Sequence, residues 1–210
     1  MKLSVIGMGN VGKVLGHRWA QKGHHVIFGV RDLKKAEAQV WLKETGGNVE
    51  ICDVSGAIVQ SEVIVLAVPW DQAREVIALG GHWEGKTVVD CMNPLKSDLS
   101  GLVIGIDTSA AEQIAQWAKG AKVVKAFNCV GSCVMADPCF HSEKALMPIC
   151  GDDTHAKSVV RALAEDLDFD VIDSGPLTAA RYLEQMAMYW IHLAFQQEIG
   201  YDFAFKLLRR

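Results

Sequence analysis

Short apolar runs rich in β-branched residues alternate along this chain with stretches whose apolar positions recur at helical spacing. Leu3 to Ile6 reads as a first buried strand, and Val14, Leu15 and Trp19 then recur as a helix should. His25 to Gly29 reads as a second strand, followed by a helix over Leu33 to Lys43 that Asp32 can cap. A short strand near Val49 to Ile51 leads to a brief helix from Asp53 to Gln60. Val63 to Val68 is unbroken apolar sequence, the pattern of a central parallel strand buried on both faces. Pro69 and Trp70 stop it, and Asp71 is the expected cap of a helix through Ala78. Thr87 to Asp90 and Lys122 to Phe127 read as the fifth and sixth strands, separated by a helix from Ser109 to Lys119 that Gly120 closes.

This alternation predicts an α/β fold: a Rossmann-like, doubly wound parallel sheet with strand order 3-2-1-4-5-6. Ala145 to Cys150 and Phe169 to Ile172 read as two more strands around a helix from Asp153 to Leu167, and a long last helix runs from Leu177 to about Ile199, where Gly200 can end it. With no repeat, low-complexity stretch or linker, one NAD(P)-binding domain is expected over residues 1–210, including a small C-terminal α/β extension from about residue 140. The last helix carries Leu183, Met186, Ala187, Trp190, Ile191, Ala194 and Phe195, more than one narrow stripe, so it must be covered. A second subunit, making a homodimer through this helix, is one solution; folding back on its own sheet is the other.

Composition narrows the class. Half of the 210 residues are hydrophobic and the formal net charge is -4, which gives no reason to expect nucleic acid or an anionic membrane surface as a partner. The chain opens directly into its first strand, without the pattern of a secretory leader. Its most apolar run, Met186 to Phe195, is far shorter than the roughly 20 residues a membrane span needs. A cytoplasmic location is expected. Of the six cysteines, Cys52, Cys91, Cys129 and Cys150 fall in or beside apolar runs, and Cys129, Cys133, Cys139 and His141 lack the paired spacing of structural zinc, so reduced thiols and no metal are expected.

The chemistry begins at Gly7-Met8-Gly9-Asn10-Val11-Gly12, which follows a strand and opens a helix. In this dinucleotide-binding fingerprint Gly7 permits the sharp turn, Gly9 lets backbone approach a pyrophosphate, and Gly12 lets the helix pack on the sheet. Amides at the helix N-terminus then face the diphosphate. At the tip of the second strand Arg31, with Lys34 and Lys35 one turn on, forms a basic cluster that favours a 2′-phosphate, so the cofactor is expected to be NADP(H). The loop at Val68, Pro69 and Trp70 lies at the same carboxyl edge, while Ser97 to Gly105 reads as a surface loop over the site. No GxSxG, HExxH or Walker motif is present. Asp137 and His141 are the proton-donor candidates after the sixth strand, and no catalytic side chain is assigned. Hydride transfer to a second cofactor needs little acid-base help.

Several segments together resemble the NADPH-dependent coenzyme F420 oxidoreductase family: Gly7 to Gly12, Gly29-Val30-Arg31, Ala67 to Trp70, Lys122 to Gly131, Gly151-Asp152-Asp153, and Asp173 to Leu177 followed by Arg181. The resemblance implies a Rossmann-like domain that moves a hydride between NADP and the deazaflavin F420. It implies that Gly9, Asn10 and Val11 meet the pyrophosphate, Arg31 the 2′-phosphate, Val68 and Pro69 the ribose side, and Asn93, Pro94, Ala126, Phe127 and Asn128 the nicotinamide end. Val30 and Asp32 stand where archaeal members have serine and a second arginine, and Phe127-Asn128-Cys129 where they have His-Thr. That Phe-Asn pair is also similar to the cytosolic NADPH domain of membrane ferric reductases, whose acceptor is a flavin. The expected small-molecule acceptor is therefore F420 or a flavin; an imine or pyrroline-carboxylate reductase and a non-catalytic dinucleotide sensor are the competing readings.

Overall fold

The computed structural model describes residues 1–34 and 47–210, so Lys35 and all but the first two residues of the helix expected over Leu33 to Lys43 lie outside the described residues. Eight strands form one sheet: β1 (Lys2–Ile6), β2 (His25–Val30), β3 (Val49–Asp53), β4 (Val63–Leu66), β5 (Thr87–Asp90), β6 (Lys122–Lys125), β9 (Leu146–Gly151) and β10 (Asp170–Asp173). Their order is β10-β9-β6-β5-β4-β1-β2-β3, which contains the expected 3-2-1-4-5-6. The first six are mutually parallel, but β9 runs antiparallel to β6 through Val124↔Gly151 and Lys125↔Cys150, with β10 parallel to β9. A small hairpin of β7 (Cys139–Phe140) and β8 (Glu143–Lys144) precedes β9.

Side-chain alternation explains the double winding. Leu3, Val5, Val26, Phe28, Val63 and Val65 point into one core layer, while Ile6, Ile27, Ile64, Leu66 and Val88 point into the other. The first layer packs under helices α1 (Asn10–Gln21), α5 (Ser132–Ala136) and α6 (Thr154–Glu165); the second under α2 (Val54–Gln60), α3 (Ala73–Gly80) and α4 (Ala110–Trp117). Asp53, Ser109 and Asp153 cap α2, α4 and α6 by accepting from Gly56 N at 2.8 Å, Glu112 N at 3.1 Å and Ala156 N at 2.7 Å. Asp71 does not cap α3. It sits inside a 3-10 turn, Trp70–Gln72, and the α-helix starts only at Ala73.

Two ends differ from the expected bounds for local reasons. The sixth strand stops at Lys125 instead of Phe127 because Phe127 adopts φ 62°, which no strand accommodates. The last helix divides into a 3-10 turn (Leu177–Ala179), α7 (Ala180–Ile191) and a π turn (His192–Gln196), ending short of Ile199.

One face of α7 packs on the second core layer through Ala180 and Leu183. The chain's own C-terminal segment covers another part: Trp190 stacks on Phe203 at 5.2 Å and Tyr189 on Phe205 at 5.8 Å. Phe205 O accepts from Leu146 N at 3.0 Å, tying that segment to the start of β9. Among the described residues no helix is long and apolar enough to cross a membrane.

Candidate dinucleotide crevice

The sheet order reverses between β1 and β4, and a crevice of about 400 Å³ lies beyond the carboxyl ends of β1, β2 and β4. Gly7, Met8 and Gly9 form one lip, Val30, Arg31 and Asp32 a second, and Ala67, Val68 and Pro69 a third. Gly7 has φ 99°, and a Cβ there would lie 2.5 Å from Ala67 O, so only glycine makes this turn. A Cβ on Gly12 would meet Gly7 O at 2.0 Å, which shows how tightly α1 is drawn onto the turn. Gly9, between them, has no atom within 4 Å of its missing Cβ. The fold keeps open the space in front of Gly9, where backbone can approach a diphosphate.

Gly9 is the N-cap of α1, and Lys13 N returns to its carbonyl at 2.9 Å. The first-turn amides of Asn10, Val11 and Gly12 have no partner within the helix, so they form an anion cradle at its positive end. Arg31 is exposed on the crevice rim, and Gln72, Val54 and Val76 complete the wall on that side. These last three were not legible as site residues, because nothing in their local spacing distinguishes them from helix positions facing a core.

Asn93 and Asn128 stand at the ends of β5 and β6 and hold each other: Asn93 Nδ2 donates to Asn128 O at 2.9 Å, and Asn128 Nδ2 to Asn93 Oδ1 at 3.0 Å. Pro94 follows, buried. Ala126 and Phe127 have no exposed surface. The Phe127 ring lies in the core, edge-on to Trp19 at 5.6 Å and to Phe169 at 6.1 Å, and none of Asn93, Pro94, Ala126, Phe127 and Asn128 is among the residues that line the crevice. The loop after Pro94 is closed by a bridge between Leu95 and Leu102 and packs Leu95 and Leu99 against Trp190 and Ile191.

Beneath the asparagine pair lies a charged cluster with no solvent exposure: Lys125 Nζ reaches Asp90 Oδ2 at 2.8 Å and Glu184 Oε1 at 2.9 Å. Burial alone would depress the Lys125 ammonium, but the Asp90 and Glu184 carboxylates outweigh it and hold it above its ordinary range. Burial pushes the Cys129 and Cys150 thiols up to about 12, which leaves both un-ionised and unreactive. Asp137 accepts from Cys139 N at 3.1 Å and lines a separate surface pocket with Cys133 and Tyr201; neither Asp137 nor His141 lines the crevice. Among the described residues no group of three or more His, Cys, Asp or Glu side chains is placed to hold a metal.

A crevice at the strand-order reversal, with a glycine turn, a helix N-terminus and a rim arginine, defines a Rossmann-type dinucleotide-binding protein. Residues 2–94 match the family described as NADP oxidoreductase, coenzyme F420-dependent. The chain is 31% identical over 198 residues to the F420-dependent NADP reductase of Methanocaldococcus jannaschii, covering 88% of each protein. It superposes with a TM-score of 0.90, at 31% identity and over 100% of both chains, on the crystal structure of a putative F420-dependent NADP reductase from Arthrobacter sp. FB24. The chain belongs to the coenzyme F420-dependent NADP oxidoreductase family and is an NADP-dependent oxidoreductase. It is also 28% identical over 194 residues to the rat metalloreductase STEAP3, matching 89% of this chain but spanning only 36% of that protein's length.

Proposed function

We propose that the protein transfers a hydride between NADP(H) and a deazaflavin of the F420 type, with a flavin as the second acceptor class. The observation that carries this reading is the chemistry at the ends of β5 and β6, where the reacting ring belongs in this fold. There the Asn93 and Asn128 amides bind each other, and the ionisable groups beneath them, Asp90, Lys125 and Glu184, are wholly buried and bound to one another. Reduction of a carbonyl or imine calls for a proton donor at the reacting centre, whereas exchange of hydride between two cofactors calls for alignment and exclusion of water.

When bound, the nicotinamide supplies the reactive hydride. The chain's own share is to grip the diphosphate with the α1 amides, to select the 2′-phosphate with Arg31, and to orient the ring end through Asn93 and Asn128. Membership in the family and the 31% identity to an F420-dependent NADP reductase over most of both chains support F420 as the acceptor. Similarity to a metalloreductase over the same span keeps a flavin as the second reading.

Stopped-flow mixing of the NADPH-loaded protein with F420, FAD, FMN and a cyclic imine tests this directly. Loss of the NADPH absorbance with F420 is the expected result, and loss with a flavin alone supports the second reading. Turnover of the imine alone, or of none of the four, overturns the proposal.

A further inference from the structure

The buried Asp90, Lys125 and Glu184 cluster is tied to the backbone of a single residue, Met92. Asp90 Oδ1 accepts from Met92 N at 2.9 Å, and Lys125 Nζ donates to Met92 O at 2.5 Å. The N–H and C=O of the residue immediately before Asn93 are thus both held by charged side chains. Lys125 uses its three donors on Asp90, Glu184 and Met92 O, which saturates an ammonium. Glu184 also accepts from Ala110 N at 3.1 Å and Ala111 N at 3.4 Å, the first amides of α4. Leu183 O, its neighbour on α7, accepts from Asn128 Nδ2 at 3.0 Å and from Cys129 Sγ at 3.2 Å.

A surface pair would serve stability cheaply, and a buried one is often replaceable by apolar side chains without loss. What an apolar replacement could not do is hold both polar groups of Met92 at once. We propose that Lys125, with Asp90 and Glu184, is a positioning residue: together they clamp the Met92 backbone at its N–H and its C=O and so fix the Asn93 and Asn128 pair against which the nicotinamide end of the cofactor is oriented. This rests on the proposed binding of NADP(H) in the crevice. By this arrangement α7, although remote in sequence, belongs to the support of the site.

The clamp acts at one end of the dinucleotide, and the glycine turn and Arg31 act at the other. Lys125→Met should therefore weaken NADPH roughly tenfold, the scale of one lost charge-assisted hydrogen bond, while the affinity for 2′,5′-ADP, which carries only the adenosine half, stays unchanged. Hydrogen exchange in the peptide spanning Asp90 to Asn93 should accelerate in the same variant. Should Lys125→Met fail to fold with two carboxylates left buried, Asp90→Asn decides the matter. It keeps the shape and a balanced Lys125 and Glu184 pair but can no longer accept from both Met92 N and Lys125, and it should give the same selective loss. Equal weakening of both ligands, or weakening of neither, overturns the clamp. A wild-type protein that binds neither ligand removes the cofactor reading itself, and the two failures are thereby told apart.

Discussion

Gly9 and Gly12 stand in one turn, yet a methyl group added to each should have opposite consequences. At Gly12 the added carbon would lie 2.0 Å from the Gly7 carbonyl oxygen, where non-bonded contact needs about 3.5 Å. The Cβ is fixed to its own backbone and the oxygen it meets is backbone, so α1 and the turn would have to separate by on the order of 1.5 Å. Overpacking of this kind costs typically about 1–3 kcal/mol, and the absence of any flexible side chain puts this case near the top, about 3 kcal/mol. For a chain of this size that lowers Tm by roughly 6–12 °C.

At Gly9 no atom lies within 4 Å of the added carbon, and φ -79°, ψ -165° suits any residue. A gain of about 0.4–1 kcal/mol from a stiffer unfolded chain opposes a comparable loss from placing alanine at an N-cap. The net change is about zero, and Tm should stay within roughly 3 °C of wild type. The methyl group would instead occupy the approach to the α1 amides. Thermal unfolding of the free proteins, followed by fluorescence titration with NADPH, should show Gly9→Ala folded but at least roughly tenfold weaker in binding, and Gly12→Ala destabilised before any ligand is added. Wild-type NADPH affinity in Gly9→Ala would falsify the assignment of this turn to the diphosphate. A wild-type Tm in Gly12→Ala would refute the packing argument.

Arg31→Ala should weaken NADPH selectively over NADH by roughly 1.5–3 kcal/mol, the range for a hydrogen bond to a charged group; parallel titrations giving equal losses would contradict its role at the 2′-phosphate. Phe127→Ala should cost about 3–5 kcal/mol in urea denaturation, because its ring is wholly buried between Trp19 and Phe169. A loss below about 1 kcal/mol would show that the site can collapse around the cavity. The Arg181 guanidinium, bound to Glu112 through Nε at 2.9 Å and Nη2 at 2.6 Å, holds the Glu112 carboxyl below its ordinary value of 4.5. A depressed carboxyl contributes stability that is present above pH 4.5 and is lost as pH falls through the native value. Arg181→Met should therefore lower Tm at pH 7 and do so less at pH 3; an equal drop at both would mean that the pair is not what Arg181 contributes.

The proposed diphosphate and ring ends of the site differ in how far they can be read from sequence, and the difference is one of contact range. The diphosphate end is built by a single contiguous stretch in which a strand period gives way to a helix period across three glycines, so local spacing alone places Gly7, Gly9 and Gly12. The proposed ring end is assembled from residues about 90–93, 110–111, 125–128 and 183–184 of the chain, which only the completed sheet brings together. Asn93 and Asn128 are legible only through resemblance, and the lysine and the two acids behind them carry no local signal of a site, since Asp90 reads as the last residue of the fifth strand and Lys125 as an interior residue of the sixth.

Glu184 did leave a signal in the helical period. Ala180, Leu183, Ala187 and Ile191 mark the buried stripe of α7, and Glu184 falls four residues after Ala180, inside it. A carboxylate on that stripe must find a cation or a set of amides, and this one finds both, Lys125 and the start of α4. The reversal of β9 left no such trace, because the alternation of a strand is the same read in either direction. Nor did the covering of α7 by the C-terminal segment, where Phe203 and Phe205 sit in a stretch without regular secondary structure and declare themselves only through the rings of Trp190 and Tyr189 that they meet. What a sequence hides in this fold is therefore the partner of a residue: the broad apolar face of α7 is visible in the helical period, and the long-range contacts that cover it are not.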